Sequence, residues 1–349
     1  MNLSYFLPTK RKMNKCNKRI NMDSFKHLVS SHLSFLITTH KSPDGDAIGS
    51  ASACYFFLKN LGKEAIVLLP DSPADFLIPF LQNVNYRVYD LLDEQERKEL
   101  LNREASIHLD YNSPSRVGED MKDIFKSLKG PSIMIDHHPN PSIFTTWSIS
   151  KVTSSSTAEL FYEILENNGL ENHVDMSCAR GIYLGMMTDT GSFRFPSVCA
   201  YTHHVLERLL ALGLNHVEIH EAIYDDNTVG KLQLRGFAIA ERMELIPNTP
   251  IGIITLSGDD LRRFNYKKGD TEGLVNVVLS IKGIHIALFA VEKEGGVKMS
   301  FRSKGTYYVN EFASNHFNGG GHKYAAGGES KDSLDVTISR FKSLLHELL

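Results

Sequence analysis

The chain has 349 residues, and 42% of them are hydrophobic, so it can bury a full core and is long enough for two domains. Its formal charge of −3 at pH 7 excludes a general attraction to nucleic acid, so an anionic ligand must be held by a local site. No stretch offers about 18 uninterrupted apolar residues, so we expect no membrane partner. Four cysteines without close-spaced pairs indicate reduced thiols and predict a cytoplasmic location.

Residues 1–21 differ from the rest of the chain because six of them are basic and none is acidic. We predict a disordered extension, or a start site assigned too early, with translation beginning at Met22. A nucleic-acid-binding arm is the functional alternative.

Short apolar runs alternate with helical patterns through the first half of the chain. The predicted strands are residues 35–37, 65–69, 106–109 and 132–135, and the predicted helices are residues 46–61, 76–81, 94–103, 119–128, 157–167 and 177–187. This alternation favours right-handed βαβ crossovers, so we expect an α/β fold with a mostly parallel sheet and helices on both faces. Ligands of such sheets gather at the carboxyl ends of the strands.

The pattern changes beyond residue 200. Amphipathic helices are predicted at residues 202–212, 217–224 and 229–245, then strands at 251–256, 285–291 and 297–301 and helices at 274–279, 310–317 and 334–348. We therefore predict a first domain at residues 22–205, a helical linker at residues 206–230, and a smaller mixed α/β domain at residues 231–349.

Acidic and imidazole side chains follow the predicted elements of the first domain, and we expect four strand ends to carry them to one edge of the sheet. They are His40, Asp44 and Asp46; Asp110; Asp136, His137 and His138; and Asp189. Grouped carboxylates repel unless a cation compensates them, so we predict bound metal, and two ions because the ligands exceed the needs of one site. Oxygen and nitrogen ligands without thiolate favour Mn²⁺, with Mg²⁺, Co²⁺ or Fe²⁺ as weaker candidates, and suit phosphate ester hydrolysis.

Several of these residues also have a purely structural interpretation. Asp44 and Asp46 suit turn and N-cap positions, and Asp110 suits a turn after a strand. His138 could be a core or surface histidine, and Asp136 could orient a ligand without being one.

Five stretches resemble the motifs of one family. Residues 39–47, 109–116, 135–139 and 188–194 resemble the four motifs of the DHH phosphoesterase superfamily, and residues 317–327 resemble the glycine-rich motif of its DHHA1 substrate domain. The motifs occur in family order. The chain length fits the branch of nanoRNases (oligoribonucleases) and 3′-phosphoadenosine 5′-phosphate phosphatases. Asn318 departs from the pattern, because the family often has a glycine there.

The resemblance implies roles for the candidate residues. One metal would be bound by His40 and Asp44 and the other by Asp46, His137 and Asp189, with Asp110 as a catalytic bridge between them. Asp136 and His138 would also be catalytic, because Asp136 orients the neighbouring imidazoles and His138 lies beside the nucleophilic water or the scissile phosphate.

Substrate-binding candidates come from the second domain and from the loop after residue 110. They are Arg302, Ser303, Gly319, Gly320, Gly321, His322 and Arg116. Consecutive glycines let backbone N–H groups approach an anion, and a guanidinium binds phosphate in a bidentate manner. A flexible loop and unpaired surface arginines are the structural alternatives.

The resemblance implies a two-metal hydrolase whose second domain holds the nucleotide. We expect it to hydrolyse phosphodiester or phosphomonoester bonds in its substrate partners, which are very short RNA oligonucleotides, mononucleotide bisphosphates such as 3′-phosphoadenosine 5′-phosphate, or both. The sequence leaves open whether the chain forms a homodimer. A phosphodiesterase for cyclic or linear di-adenosine phosphates is the enzymatic alternative, and a nucleotide-sensing module is the non-enzymatic one. A long-strand exonuclease is disfavoured because the chain shows no extended basic track.

Overall fold

A computed structural model describes residues 22–349. Six strands form the first sheet: β1 (Ser34–Thr38), β2 (Glu64–Leu69), β3 (Tyr86–Val88), β4 (Ala105–Leu109), β5 (Ser132–Asp136) and β6 (Trp147–Ser150). Their order is β3-β2-β1-β4-β5-β6, and all neighbours are parallel. The strand order reverses between β1 and β4, so the carboxyl ends of these two strands open the crevice in which such sheets bind ligands.

Helices cover both faces of this sheet. They are α1 (Asp23–Ser31), α2 (Gly45–Asn60), α3 (Glu94–Leu100), α4 (Ile124–Ser127), α5 (Thr157–Asn167), α6 (Met176–Asp189) and α7 (Ala200–Ala211). Phe35 and Ile37 of β1 pack into one core with α1, α2, α5 and α6, whereas Leu36 packs into another with residues of α3 and α4. Successive residues of a strand point to opposite faces, so the predicted two-sided parallel sheet is confirmed.

Close packing of α2 against α6 brings their ends together at the sheet edge. A Cβ atom at Gly49 would lie 2.4 Å from the carbonyl oxygen of Gly181, and one at Gly185 would lie 2.5 Å from Oδ1 of Asp46. Glycine is therefore needed at these positions, and the approach places the first turn of α2 beside the last turn of α6.

Three of the predicted helices in the first domain are shorter or tighter in the structure. Residues 75–81 form a 3-10 helix, since Pro79 within it lacks the N–H of a regular helix. The predicted helix 119–128 is helical only at Ile124–Ser127, after turns that follow Gly118 at φ +87°. The helix predicted at 94–103 ends at Leu100.

The second half of the chain begins with α8 (His216–His220), which continues into a π-helical turn at Glu221–Asp225, and α9 (Val229–Glu241). A mixed sheet follows, with β7 (Met243–Leu245), β8 (Ile251–Leu256), β9 (Ile286–Lys293), β10 (Gly296–Ser303), β11 (Gly320–His322) and β12 (Ala325–Ser330). Its helices are α10 (Gly258–Arg263), α11 (Leu274–Leu279), α12 (Asn310–His316) and α13 (Leu334–Ser343). The order is β11-β12-β10-β9-β8-β7, and only β8 and β9 pair in parallel within this sheet.

The predicted mixed α/β character is confirmed, with corrections at the ends of elements. The helix predicted at 229–245 ends at Glu241, because residues 243–245 pair with β8 as an edge strand. The last predicted helix stops at Ser343 and is followed by a 3-10 turn at Leu345–Glu347. The glycine run, expected as a loop, contributes strand β11.

Some predictions concern features that the fold does not test. The basic segment 1–21 lies outside the described residues, and the domain boundaries, the homodimer and the cytoplasmic location stay predictions. Among residues 22–349, every helix is too short or too polar to cross a bilayer.

Candidate metal centre and substrate cleft

The loop after β1 carries the first group of candidate ligands. Nε2 of His40 lies 3.3 Å from Oδ2 of Asp110 and 3.7 Å from Oδ1 of Asp44. Nδ1 of the same ring donates a 2.9 Å hydrogen bond to the carbonyl of Lys41, so Nε2 faces the two carboxylates. Nε2 is buried and has no hydrogen-bond partner within residues 22–349, as expected of a nitrogen positioned to bind a metal.

The N-terminus of α2 fixes the position of Asp44. Oδ1 of this residue accepts hydrogen bonds from the backbone N–H groups of Asp46 and Ala47, both at 3.1 Å. The N-cap interpretation is therefore correct for Asp44. It is compatible with metal binding, because the same carboxylate faces His40 and its side chain is 50% exposed to the cleft solvent.

A second group of candidate ligands lies next to the first. Nε2 of His137 is 3.8 Å from Oδ2 of Asp46 and 3.4 Å from Oδ2 of Asp189. The Asp46 carboxylate accepts hydrogen bonds from the backbone N–H groups of Thr157, at 2.7 Å, and Ala158, at 3.0 Å, so the N-terminus of α5 holds it in place. Asp189 is the last residue of α6, so the helix predicted at residues 177–187 is confirmed, but the fourth of the expected strand ends is the end of a helix. The packing of α6 on α2 brings it to the same edge.

Asp110 lies between the two groups. Its Oδ2 faces His40, and its Oδ1 is 3.7 Å from Nε2 of His137. The hydroxyl of Thr157 donates a 2.8 Å hydrogen bond to Oδ1. The backbone of Asp110 has φ +66°, a left-handed conformation that turns the chain sharply after β4. With one oxygen directed to each group, Asp110 has the geometry that a bridging ligand needs.

The charges of these residues are strongly perturbed. Burial, followed by the neighbouring carboxylates, raises the pKa of Asp46, and burial raises the pKa of Asp189 to about 6. Burial opposes the charged form of His40, but Asp110 and Asp44 outweigh it and raise the pKa of His40 to about 10. The site therefore concentrates more negative charge than its own residues can neutralise. Its oxygen and nitrogen donors, which lie within 4.8 Å of one another in each group, fit two divalent cations.

His138 is held beside the two groups by Asp136. The buried Asp136 carboxylate accepts hydrogen bonds from the backbone N–H of His138, at 3.0 Å, and from its Nδ1, at 2.7 Å. Nδ1 of His138 is also 3.7 Å from Oδ1 of Asp110, and Nη2 of Arg116 lies 3.5 Å from its Nε2. The structure thus brings all three predicted catalytic residues and Arg116 together.

His322 reaches this cluster from β11 of the second domain. Its ring centroid lies 4.8 Å from that of His138 and 4.9 Å from that of His137. Its Nε2 is buried and has no hydrogen-bond partner in the described part of the chain. The second domain therefore covers the candidate metal ligands directly.

Arg302 and Ser303 are positioned differently from each other. Burial lowers the pKa of the Arg302 guanidinium, and the nearby carboxylates of Asp189, Glu272 and Asp44 oppose that shift, so this group faces carboxylates of both domains. Ser303 is buried, and its hydroxyl donates to the carbonyl of Tyr307 at 2.8 Å. The Ser303 hydroxyl is already used within the second domain, and its role in substrate binding stays a prediction.

The three glycines of the DHHA1-like motif are constrained differently. A Cβ atom at Gly319 would lie 2.0 Å from the carbonyl oxygen of Gly327, and one at Gly321, where φ is +142°, would lie 2.5 Å from that of Ala325. These two glycines are required by the pairing of the hairpin, whereas a Cβ at Gly320 would meet nothing within 4 Å. Gly320 is the one of the three with room for a ligand.

Sequence reasoning missed two residues of this region, Thr157 and Asp71. Thr157 ends a run of five hydroxyl residues, 153–157, at the start of α5, and such a run before a helix could have indicated it. Asp71 accepts a 2.6 Å hydrogen bond from the backbone N–H of Ser42 and a 2.9 Å one from Nζ of Lys268. It therefore joins the loop after β1 to the second domain. Its place just after a predicted strand could have indicated this role.

Comparisons with known proteins agree with the geometry. The family model for the DHH family, N-terminal domain, matches residues 34–186, and the model for the DHHA1 domain matches residues 251–348. A solved structure of an exopolyphosphatase-related protein from Bacteroides fragilis is 32% identical, with a TM-score of 0.88, over 96% of this chain and 98% of that one. The chain belongs to the DHH family. It is thus a phosphoesterase of a metal-dependent family, and the resemblance found in its motifs is confirmed.

Two curated relatives of this DHH phosphoesterase are named bifunctional oligoribonuclease and PAP phosphatase NrnA. The protein from Thermus thermophilus is 28% identical over 90% of this chain and 89% of its own length. The protein from Bacillus subtilis is 27% identical over 91% of this chain and 97% of its own length.

Proposed function

We propose that this DHH phosphoesterase hydrolyses phosphodiester or phosphomonoester bonds in very short RNA oligonucleotides, in 3′-phosphoadenosine 5′-phosphate, or in both. The observation that carries the proposal is the pair of His/Asp groups that share Asp110 and are covered by His322. The names of the relatives from T. thermophilus and B. subtilis support this choice of substrates.

Two Mn²⁺ ions are the proposed cofactors, with Mg²⁺ or Co²⁺ as substitutes. His40 and Asp44 would hold one ion, Asp46, His137 and Asp189 the other, and Asp110 both. When bound, the ions supply a nucleophilic water at neutral pH and offset the charge that develops on the phosphoryl group.

His138 is the proposed proton carrier. Its Nδ1–H donates a hydrogen bond to Asp136, which fixes the tautomer and the orientation of the ring. Its Nε2 is then free to hold a proton for the leaving oxygen, and Arg116 beside it would bind a phosphoryl oxygen. The histidine and the arginine thus act on the same phosphate from one side.

The second domain would select the substrate. Arg302 places a guanidinium near the carboxylates of the centre, where a phosphate would balance its charge, and His322 lies over the two imidazoles. We infer that a cleft covered by the second domain in this way would admit the end of a strand rather than its interior. This supports a preference for very short substrates.

Turnover of a matched panel tests the proposal. The panel contains a dinucleotide and a pentanucleotide RNA, a long single strand, 3′-phosphoadenosine 5′-phosphate, cyclic and linear di-adenosine phosphates, and pyrophosphate, each with Mn²⁺ and with chelator. We expect Mn²⁺-dependent hydrolysis of the short RNAs, the bisphosphate, or both. Activity confined to pyrophosphate, the long strand or the di-adenosine phosphates would overturn the proposal, as would nucleotide binding without any turnover.

A further inference from the structure

The turn between β11 and β12 lies at the rim of the cleft. His322 of β11 pairs with Ala325 of β12, so the turn consists of Lys323 and Tyr324 alone. The His322 ring lies 4.8 Å from the ring of His138. The turn therefore begins at the residue after His322, whose ring contacts that of the candidate catalytic His138.

This turn is held by the end of β10, the strand that carries Arg302, and by the segment that follows β10. The carbonyl of Lys323 accepts a 3.0 Å hydrogen bond from the backbone N–H of Val309, and the carbonyl of Tyr324 accepts a 2.9 Å one from that of Ser303. The hydroxyl of Tyr324 donates to the carbonyl of Gly305 at 3.1 Å. The position of the turn is therefore fixed before any ligand binds.

The side chains at the turn form a surface of two aromatic rings and one cation. Nζ of Lys323 lies 3.7 Å from the ring centroid of Tyr308 and 5.6 Å from that of Tyr324. The two ring centroids are 5.8 Å apart, at an interplanar angle of 64°, and Tyr308 is 47% exposed. None of these three residues has a role in the mechanism above.

We propose that Tyr308, Lys323 and Tyr324 form a base-binding subsite, which takes the nucleobase of the nucleotide next to the scissile phosphate. Aromatic rings stack on any base, and an ammonium group on the same surface attracts the adjoining phosphate. The position suits this occupant, because Lys323 directly follows His322, whose ring contacts that of His138, so a base next to the scissile phosphate would lie near this turn. The inference rests on the proposed function. It adds that a base, and not only the sugar–phosphate backbone, contributes to the binding of a dinucleotide substrate.

The test compares an RNA dinucleotide with dinucleotides that lack the base at one position or the other. For the unmodified protein, we expect kcat/KM to fall by about 5- to 150-fold when one of the two bases is removed, the range found for the loss of one base–aromatic stack. In Tyr308→Ala, this preference for the base should nearly disappear, whereas Tyr308→Phe should keep most of it.

A matched control is Tyr89→Ala, which also removes a tyrosine from a cation–π pair, here with Arg97 at 4.2 Å, on the first domain. Its preference for the base should equal that of the unmodified protein. Lys323→Met gives a second probe should Tyr308→Ala fold poorly, as judged by thermal melting, and it should reduce the preference and its salt dependence.

The possible outcomes separate the two claims. If the unmodified protein hydrolyses the dinucleotides but Tyr308→Ala and Lys323→Met keep the full preference for the base, the subsite is disproved and the proposed function stands. If the unmodified protein hydrolyses no dinucleotide, the RNA substrate itself is wrong and the subsite falls with it.

Discussion

The two sides of the cleft are built differently. On the first-domain side, the buried carboxylates of Asp46 and Asp110 accept hydrogen bonds from the first residues of α5, so their oxygens are fixed. On the second-domain side, Arg302 donates to the carbonyl of the adjacent Phe301, and Nε2 of His322 has no partner within residues 22–349. The first side is positioned for chemistry, and the second keeps donors available for a ligand. Substitutions on the first side should lower kcat, and those on the second should raise KM.

The most severe test of this contrast is Asp110→Ala. We expect a loss of kcat of about a thousandfold or more, because this carboxylate faces both groups of candidate ligands. Some loss of stability in chelator is expected as well, because burial opposes the charge of Asp110 but His40 outweighs it, so the change leaves the buried His40 ring without its nearest carboxylate. Turnover with Mn²⁺ and thermal melting with chelator measure the two effects. Activity within tenfold of the unmodified protein would refute the shared-ligand assignment.

Thr157→Val tests whether activity depends on the hydrogen bond that holds the Asp110 carboxylate in place, and not only on the carboxylate itself. The substitution keeps the shape and the backbone N–H but removes the hydroxyl that donates to Asp110. We expect kcat or metal affinity to fall by about 10- to 100-fold, as is usual for residues that orient metal ligands. Thr157→Ser keeps the hydroxyl and should restore most of the loss. Equal effects of the valine and serine variants would mean that the hydroxyl has no such role.

Arg302→Ala probes the opposite side. We expect KM for nucleotide substrates to rise by about tenfold or more, with a smaller change in kcat, because a guanidinium in the cleft is lost while the metal ligands stay in place. Arg302→Lys keeps the charge and should recover only part of the affinity, since ammonium cannot bind phosphate in a bidentate manner. An unchanged KM in the alanine variant would remove Arg302 from the site.

The two sides of the cleft also differ in how well the sequence predicts them. The alternation of apolar strands and helical patterns predicts the parallel sheet, and the acids after 35–37, 106–109 and 132–135 meet at its edge as expected. Asp189 shows the limit of that reasoning, because its place depends on the packing of Gly185 against Asp46, which local pattern does not reveal. On the second side, the glycine run suggests a flexible loop, but pairing with β12 makes part of it a strand.

Departures from local rules at the site have physical reasons that appear only in three dimensions. Thr157 looks like an ordinary helix-start residue, but its N–H and hydroxyl contact two carboxylates that are more than 40 residues away in sequence. Asn318, where the family often has glycine, adopts φ +45°, a left-handed conformation that asparagine tolerates well. The turn geometry is thus kept without the expected glycine.

The pH dependence of stability without metal tests the excess negative charge of the first side. The pKa of Asp189 is raised to about 6 and that of His40 to about 10, so the folded chain binds these protons more tightly than the unfolded chain. This stabilisation is complete below the unfolded pKa values and is lost as the pH rises through about 6 for Asp189 and about 10 for His40. The lowered pKa values of Asp110 and Asp44 act in the opposite sense below about pH 4. Burial lowers the pKa of His108 and of His322 to about 3, which acts in the opposite sense below about pH 6.5.

We therefore expect the melting temperature of the chelated protein to fall between pH 7 and pH 10, above the range in which His108 and His322 oppose the trend. Saturating Mn²⁺ should remove or reverse this trend, because metal binding displaces the protons and becomes tighter as the pH rises. Asp189→Asn provides the control, since it cannot titrate: its melting temperature relative to that of the unmodified protein should be higher at pH 7 than at pH 5. A melting temperature that rises with pH in chelator above pH 7 would contradict the assigned charge imbalance.

The smallest expected effect lies at the link between the two sides. Lys268 pairs with Asp71, and Asp71 accepts a hydrogen bond from the backbone N–H of Ser42. Ser42 has φ +53° and lies in the loop between two candidate ligands. The neighbouring Lys267 pairs instead with the exposed Asp75 at 3.5 Å. Lys268→Ala should raise KM by a few-fold and speed hydrogen exchange of the Ser42 amide, because the loop after β1 loses its tie to the second domain. Lys267→Ala removes the same charge without that tie and should do neither. If both variants behave alike, the contact is an ordinary surface ion pair, and the two sides of the cleft are independent.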